Sequence, residues 1–107
     1  MSIIEQAEAL QLISNYKDQR SVILRDEFDI SILTLSETFQ KEDFESLLNQ
    51  TGCTNIRAYI GMDDRNNLRF IFIGVNSKNQ DILENNIIIE RGMRCPNNCP
   101  PASDINP

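Results

Sequence analysis

The sequence predicts an α+β domain in which two helices pack on a small, mainly antiparallel sheet centred on residues 55–75. Three observations predict it. Asn55 to Met62 and Leu68 to Val75 are apolar-rich segments flanking the polar run Asp63-Asp64-Arg65-Asn66-Asn67, the pattern of two strands closed by a short loop. Ile3, Ala9, Leu10, Ile13 and Tyr16 fall within an arc of roughly 140° when wound at 3.6 residues per turn, so residues 3–19 read as an amphipathic helix. Phe44, Leu47 and Leu48 follow the acidic pair Glu42-Asp43 and precede Gly52, which predicts a second helix over residues 41–50.

Taken in order, Ser2 and Glu5 have capping-box spacing, with the Ser2 hydroxyl accepting from the Glu5 amide and the Glu5 carboxylate reaching back. The first helix is therefore expected to start at residue 3, and its apolar stripe needs a sheet to lie on. Arg25-Asp26-Glu27 reads as an exposed turn, and Phe28 to Leu35 as a strand, from its partial alternation. Phe39 is placed to pack on Phe44 as a hydrophobic staple, with Gln40 at the N-cap. In the hairpin, setting Met62 opposite Leu68 puts Ile60 opposite Phe70 and Ala58 opposite Phe72 on one face. Tyr59 then opposes Ile71 and Arg57 opposes Ile73 on the other. Both faces carry apolar groups, so both are expected to be covered. Ile87-Ile88-Ile89, stiff at χ1, predicts a strand at residues 86–90 after the polar loop Asn76 to Asp81. Residues 1–93 are expected to form the domain. Residues 94–107, which hold all four prolines, are expected to form an extended tail without regular hydrogen bonding.

Ten Lys plus Arg against sixteen Asp plus Glu leave a formal net charge of −6, and the basic residues are scattered. Such a chain repels a phosphate backbone, so nucleic acid is not an expected partner. Its acidity is either a solvated surface or a docking face for a basic protein. No window approaches the roughly 18 consecutive apolar residues of a membrane span, and no basic stretch precedes an apolar one at the N-terminus. No membrane partner is expected, and the cytoplasm is the default location.

The chain contains no histidine, which removes Ser–His and Cys–His nucleophile pairs, His-ligated metals and the commonest general base. Gly61 and Gly74 belong to no phosphate-binding fingerprint, and no cofactor is expected. Cys53, Cys95 and Cys99 leave three readings. Three thiolates with a carboxylate or water are a conceivable zinc site, though Cys95 and Cys99 are spaced one residue wider than a paired knuckle. A Cys95–Cys99 disulfide, stiffened by Pro96 and Pro100, or a link from Cys53 to one of them, is the second. Reduced, inert thiols are the third. The oxygen-rich loops 63–67 and 76–81 depart from the calcium-loop order and fit turn chemistry better. Arg57, Tyr59 and Arg69 share one hairpin face. They form either a small contact surface for an anion or peptide, or a face whose arginine stems cover apolar groups while their heads pair with helix carboxylates.

The segments ending in Gly52-Cys53 and continuing to Ile56-Arg57, with the later Cys95-Pro96 and Cys99-Pro100, give the chain a resemblance to a group of short uncharacterised proteins from Bacteroidota with a C-terminal Cys-Pro-x-x-Cys-Pro tail. The resemblance implies no activity, since none is assigned to that group.

The expected role is a non-enzymatic module for protein–protein interaction or self-assembly, with a homo-oligomer among its forms. Its contacts are expected at an exposed strand edge and in the tail, where Arg94, Pro96, Pro100 and Pro101 join Arg57, Tyr59 and Arg69 as candidates. A tail added to a neighbour's sheet edge makes a heterologous contact and builds a ring or filament. An acidic inhibitor or immunity-type protein that neutralises a basic partner is the alternative. A small enzyme built on converging carboxylates is the third class.

Overall fold

The structure, a computed structural model, describes residues 3–24, 30–90 and 92–107. Along the chain these form α1 (Gln6–Ile23), a single 3-10 turn (Ile30–Ile32), β1 (Ser36–Thr38), α2 (Lys41–Leu48), β2 (Asn55–Met62), β3 (Leu68–Val75), β4 (Ile88–Ile89) and β5 (Met93–Cys95). The class is α+β, as the sequence predicts. The strands divide into an antiparallel sheet of order β2-β3-β4 and a separate antiparallel ribbon, β1-β5.

The hairpin has the expected register, with Met62 opposite Leu68, Ile60 opposite Phe70 and Arg57 opposite Ile73. Its loop is built from Asx chemistry. The Asp63 carboxylate accepts from the amides of Arg65 and Asn67 at 2.9 Å each, and Asn66 takes a φ of 64°, a conformation asparagine tolerates. The loop after β3 repeats the device. Asn76 Oδ1 accepts from the amides of Lys78 and Gln80 at 2.9 and 3.0 Å, and Asn79 lies at φ 63°.

The core lies between β3, β4 and α2. Leu47 is fully buried, and Ile73, Val75, Ile82 and Ile89 are nearly so. Phe72 is at the centre of an aromatic cluster, 5.1 Å from the Phe39 ring and 5.0 Å from that of Phe44. The Phe39–Phe44 staple forms edge to face at 5.9 Å, the arrangement the ring quadrupoles favour. Gln50 closes the end of α2, donating to Leu47 O at 2.9 Å and accepting from Asn85 at 3.2 Å. It packs so near Gly74 that a Cβ there would lie 2.8 Å from its amide nitrogen.

Several elements differ from the sequence reading. The first helix begins at Gln6, with Glu5 at the N-cap position making no side-chain cap bond; Ser2, the other half of the expected capping box, lies outside the described residues. Helix α1 runs on to Ile23 and does not lie on the three-stranded sheet. Ile3 is exposed, and Ala9, Leu10, Ile13 and Tyr16 are only half-buried. Polar contacts tie the helix to the segment 30–34. Arg20 donates to Leu33 O at 2.9 and 2.6 Å and to Ile30 O at 2.9 Å, and the Tyr16 hydroxyl donates to Thr34 O. The strand expected at 28–35 is, from Ile30 to Ile32, a 3-10 turn; Phe28, Asp29 and the turn expected at 25–27 lie outside the described residues. Carbonyls aimed at Arg20 and Tyr16 are not available to a ladder, and the strand starts at Ser36 instead.

The tail is also corrected. Arg94 and Cys95 belong to β5, with Cys95 opposite Ser36 and Arg94 opposite Glu37. Beyond them the chain turns back through a Cys95–Cys99 disulfide, an Asn98 N–H donated to Arg94 O at 2.8 Å and a Ser103–Asn106 bridge. Lys17 of α1 donates to Asn106 Oδ1 at 2.8 Å. Pro100 and Ile105 line a pocket with Ile13 and Leu35, so the segment is folded against the body rather than extended from it.

Candidate functional site

The two long strands share a hydrogen-bond pattern that decides which backbone groups face outward. Asp63 N–H donates to Asn67 O at 3.0 Å across the closing pair, and inward-pointing positions recur every second residue in an antiparallel ladder. Arg57, Tyr59 and Gly61 therefore turn their N–H and C=O groups toward β3. Ile56, Ala58, Ile60 and Met62 turn theirs to the outer edge. On β3 the complementary set, Leu68, Phe70, Phe72 and Gly74, points the other way.

That other edge is engaged at each of these four residues. Phe72 pairs with Ile89 of β4, and Ile82 N–H donates to Gly74 O at 2.9 Å. Where β4 gives out, side chains take over: Arg94 Nε donates to Leu68 O at 3.1 Å, and Glu37 Oε1 accepts from Phe70 N–H at 3.3 Å. Glu37 and Arg94 are an opposed pair of the β1-β5 ribbon, so the ribbon serves as a polar cap on β3. At β2 nothing comparable occurs. It ends the sheet order, and among the described residues no strand or side chain pairs with its outer edge.

The side chains of β2 match this openness. Ile56, Ile60 and Met62 share a face with Phe70 and Phe72 and are 41%, 69% and 59% exposed. The expectation that both hairpin faces are covered is thus corrected for β2, because α2 packs over β3 and β4 and stops there. Ile60, Leu68 and Phe70 also form one wall of an apolar groove of about 340 Å³, with Tyr16, Leu33 and Leu35 opposite. Burial there raises the Tyr16 hydroxyl pKa above its ordinary value, against the opposing influence of Arg20. Edge strands are ordinarily blunted by lysine, proline or a bulge. Neither lysine nor proline occurs in β2, and its register is unbroken from Asn55 to Met62.

On the opposite face Arg57 and Tyr59 converge on Asp81. Arg57 forms an ion pair with the carboxylate and donates to Asn79 Oδ1 at 2.6 Å, and the Tyr59 hydroxyl donates to the other Asp81 oxygen. The Tyr59 hydrogen bond, followed by Arg57, holds the Asp81 carboxyl below its ordinary value, and the same contacts raise Tyr59 and Arg57. The partner of the Arg57 head is a loop carboxylate rather than a helix one. Arg69 shares the face but not the cluster; its Nη2 donates to Gly92 O at 3.2 Å. Arg94 is committed to Leu68 O and Ile32 O, which removes it as an outward contact residue. Pro96, Pro100 and Pro101 are exposed.

Cys95 and Cys99 are bonded to one another and supply no thiolate pair, which corrects the zinc reading; Cys53 is a free, half-buried thiol beside Gly74. Among the described residues no group of three or more Cys, Asp or Glu is placed to hold a metal ion. No described helix is long and apolar enough to cross a membrane.

Sequence reasoning named Arg57 and Tyr59 but missed Asp81, Glu37 and the row Ile56, Ala58, Ile60 and Met62. The even-numbered row was legible as one face of the hairpin. Its exposure was not, because that depends on where α2 comes to rest. Compared with protein-family models, with curated proteins and with solved structures, the chain matches none.

Proposed function

We propose that this protein is an interaction module that binds another polypeptide by strand addition to the outer edge of β2. The observation that carries the reading is the asymmetry of the sheet: the β3 edge is filled by β4, Ile82, Glu37 and Arg94, whereas Ile56, Ala58, Ile60 and Met62 offer four outward-facing N–H and C=O pairs. An added strand gains main-chain hydrogen bonds, and its alternate side chains land beside Ile56, Ile60 and Met62, next to the apolar groove. The contact elements are the strand edge and its exposed isoleucines. The tail contributes by packing on α1, and its residues are not assigned a docking role. The reading of an acidic inhibitor rests on the net charge of −6 alone.

A random-sequence peptide display selected on the intact protein tests this. The expected binders are extended peptides with apolar residues at alternate positions, and Ile60→Lys and Ala58→Pro remove their binding. Both substitutions fall at outward positions, so neither breaks a bond to β3. Binders that tolerate both substitutions overturn the reading.

A further inference from the structure

We infer that the strand added to β2 is the β2 of a second copy of this chain, paired antiparallel about a two-fold axis through Tyr59. The inference rests on the strand-addition reading and names its occupant. A two-fold axis normal to the sheet keeps faces continuous and joins outward groups of one copy to outward groups of the other only when it passes through a residue, not between two. Of the axes through residues of the strand, one joins all four outward residues to one another, and an axis through Ile60 fails because it leaves Ile56 opposite Asp64 in the loop. An axis through Arg57 brings two guanidinium groups together. One through Ala58 leaves Met62 opposite Thr54, which precedes the strand.

The axis through Tyr59 joins all four outward residues, with Ile56 opposite Met62 and Ala58 opposite Ile60. On the other face it sets Tyr59 against Tyr59 at a non-hydrogen-bonded position, where opposed side chains approach more closely than at a hydrogen-bonded one. It also sets Arg57 against Gly61, which has no side chain to obstruct it. Gly61 is fixed from within the chain as well, since a Cβ there would lie 2.9 Å from Ile71 Cδ1.

Charge selects this occupant. A chain of net charge −6 repels its own copies over most of its surface. The segment Asn55–Met62 contains no acidic residue, and its one cation, Arg57, is already paired with Asp81. Two acidic molecules therefore meet at this edge without like charges in register. A strand from a basic partner, by contrast, brings its cations beside Arg57 and finds no carboxylate on β2 to receive them. The Met62 of the second copy lies beside Ile56, and its Ala58 beside Ile60 at the rim of the apolar groove, so the contact covers the exposed row. Isologous pairing uses the open edge of both copies at once. Since the β3 edges are capped, assembly closes at two subunits rather than continuing as the ring or filament a tail-mediated contact would build. A contact between two short strands is small, so the dimer is weak and depends on concentration.

Sedimentation equilibrium of the full chain from micromolar to millimolar concentration, with photo-oxidative tyrosine coupling on the same samples, tests this. The expected result is a monomer–dimer equilibrium with no larger species. Covalent coupling is expected between two Tyr59 peptides, unaffected by Tyr16→Phe. Ile60→Lys is expected to raise the dissociation constant at least roughly tenfold, since a charge is then placed in each of the two equivalent strand pairings. Ile60 is exposed, and an unchanged circular dichroism spectrum shows that the variant folds; Ala58→Pro gives the same loss by a second route. A monomer at every concentration overturns the second-copy inference while leaving peptide binding at β2 to stand or fall by its own test. Larger species, coupling through Tyr16, or association indifferent to Ile60→Lys overturns it too.

Discussion

Asp81 is the residue through which the loop after β3 is fastened to the face of β2. Its two carboxylate oxygens are divided between the Arg57 guanidinium and the Tyr59 hydroxyl, so the exposed strand is braced by a partner distant in sequence. Hydrogen bonds to the ionised carboxylate hold the Asp81 pKa below its ordinary value of 3.8, and the amide of Asn67 does the same for Asp63. A carboxyl with a depressed folded-state pKa contributes stability that is present above the unfolded value and lost as pH falls through the folded one. The urea midpoint is therefore expected to be flat with respect to these groups above about pH 5 and to decline below about pH 4. Asp81→Asn is expected to lower the midpoint near neutrality and to flatten the acid decline. A variant whose acid decline equals that of the parent contradicts the brace.

At the scale of elements, the two β3 neighbours are treated oppositely. On one side the polar ribbon, β4 and Ile82 engage Leu68 O, the Phe70 N–H, Phe72 and Gly74 O; on the other, β2 has an outer edge that no described strand or side chain pairs with. The ribbon is held in place by Thr34, whose buried hydroxyl lies 2.9 Å from Ser36 O and 3.0 Å from Cys95 O, and it is closed beyond β5 by the Cys95–Cys99 ring. Alkylation of the folded protein without reductant is expected to label Cys53 alone, and reduction in denaturant to expose all three thiols. A ring this short stabilises by about 2 kcal/mol in the chain-entropy picture, so Cys99→Ser is expected to cost no more than about that amount in urea unfolding. Three labelled thiols without reductant contradict the pairing.

Much of this was legible in the chain, and for a common reason. The hairpin register, the Asx turns, the Phe39–Phe44 staple and the second helix depend on neighbours a few residues apart, which period and turn chemistry report directly. What escaped depends on remote partners. Carbonyls between Ile30 and Thr34 are taken by Arg20 and Tyr16, which removes a strand that alternation favoured. Arg94 reads as tail from its cysteine and prolines, yet it pairs with Glu37, 57 residues earlier, and caps β3. The openness of β2 is likewise settled by the position of α2 over β3 and β4, which no local pattern in β2 records.

At the scale of the whole molecule, the proposed association places a strand without acidic residues at the contact between two chains of net charge −6. In the proposed dimer the charge repels copies over the rest of the chain, and the capped β3 edge stops the sheet from growing on its second side. The proposed association through β2 therefore joins two sheets without inviting aggregation. The central claim is that the outward groups of Ile56, Ala58, Ile60 and Met62 are unpaired in the isolated chain and become paired on association. Residue-resolved amide hydrogen exchange along β2 measures this most directly. In dilute solution the amides of Arg57, Tyr59 and Gly61 are expected to be protected and those of Ala58, Ile60 and Met62 to exchange rapidly, and the fast set is expected to become protected as concentration rises. Uniform protection of β2 in dilute solution, or fast exchange at the even positions at every concentration, would contradict the account.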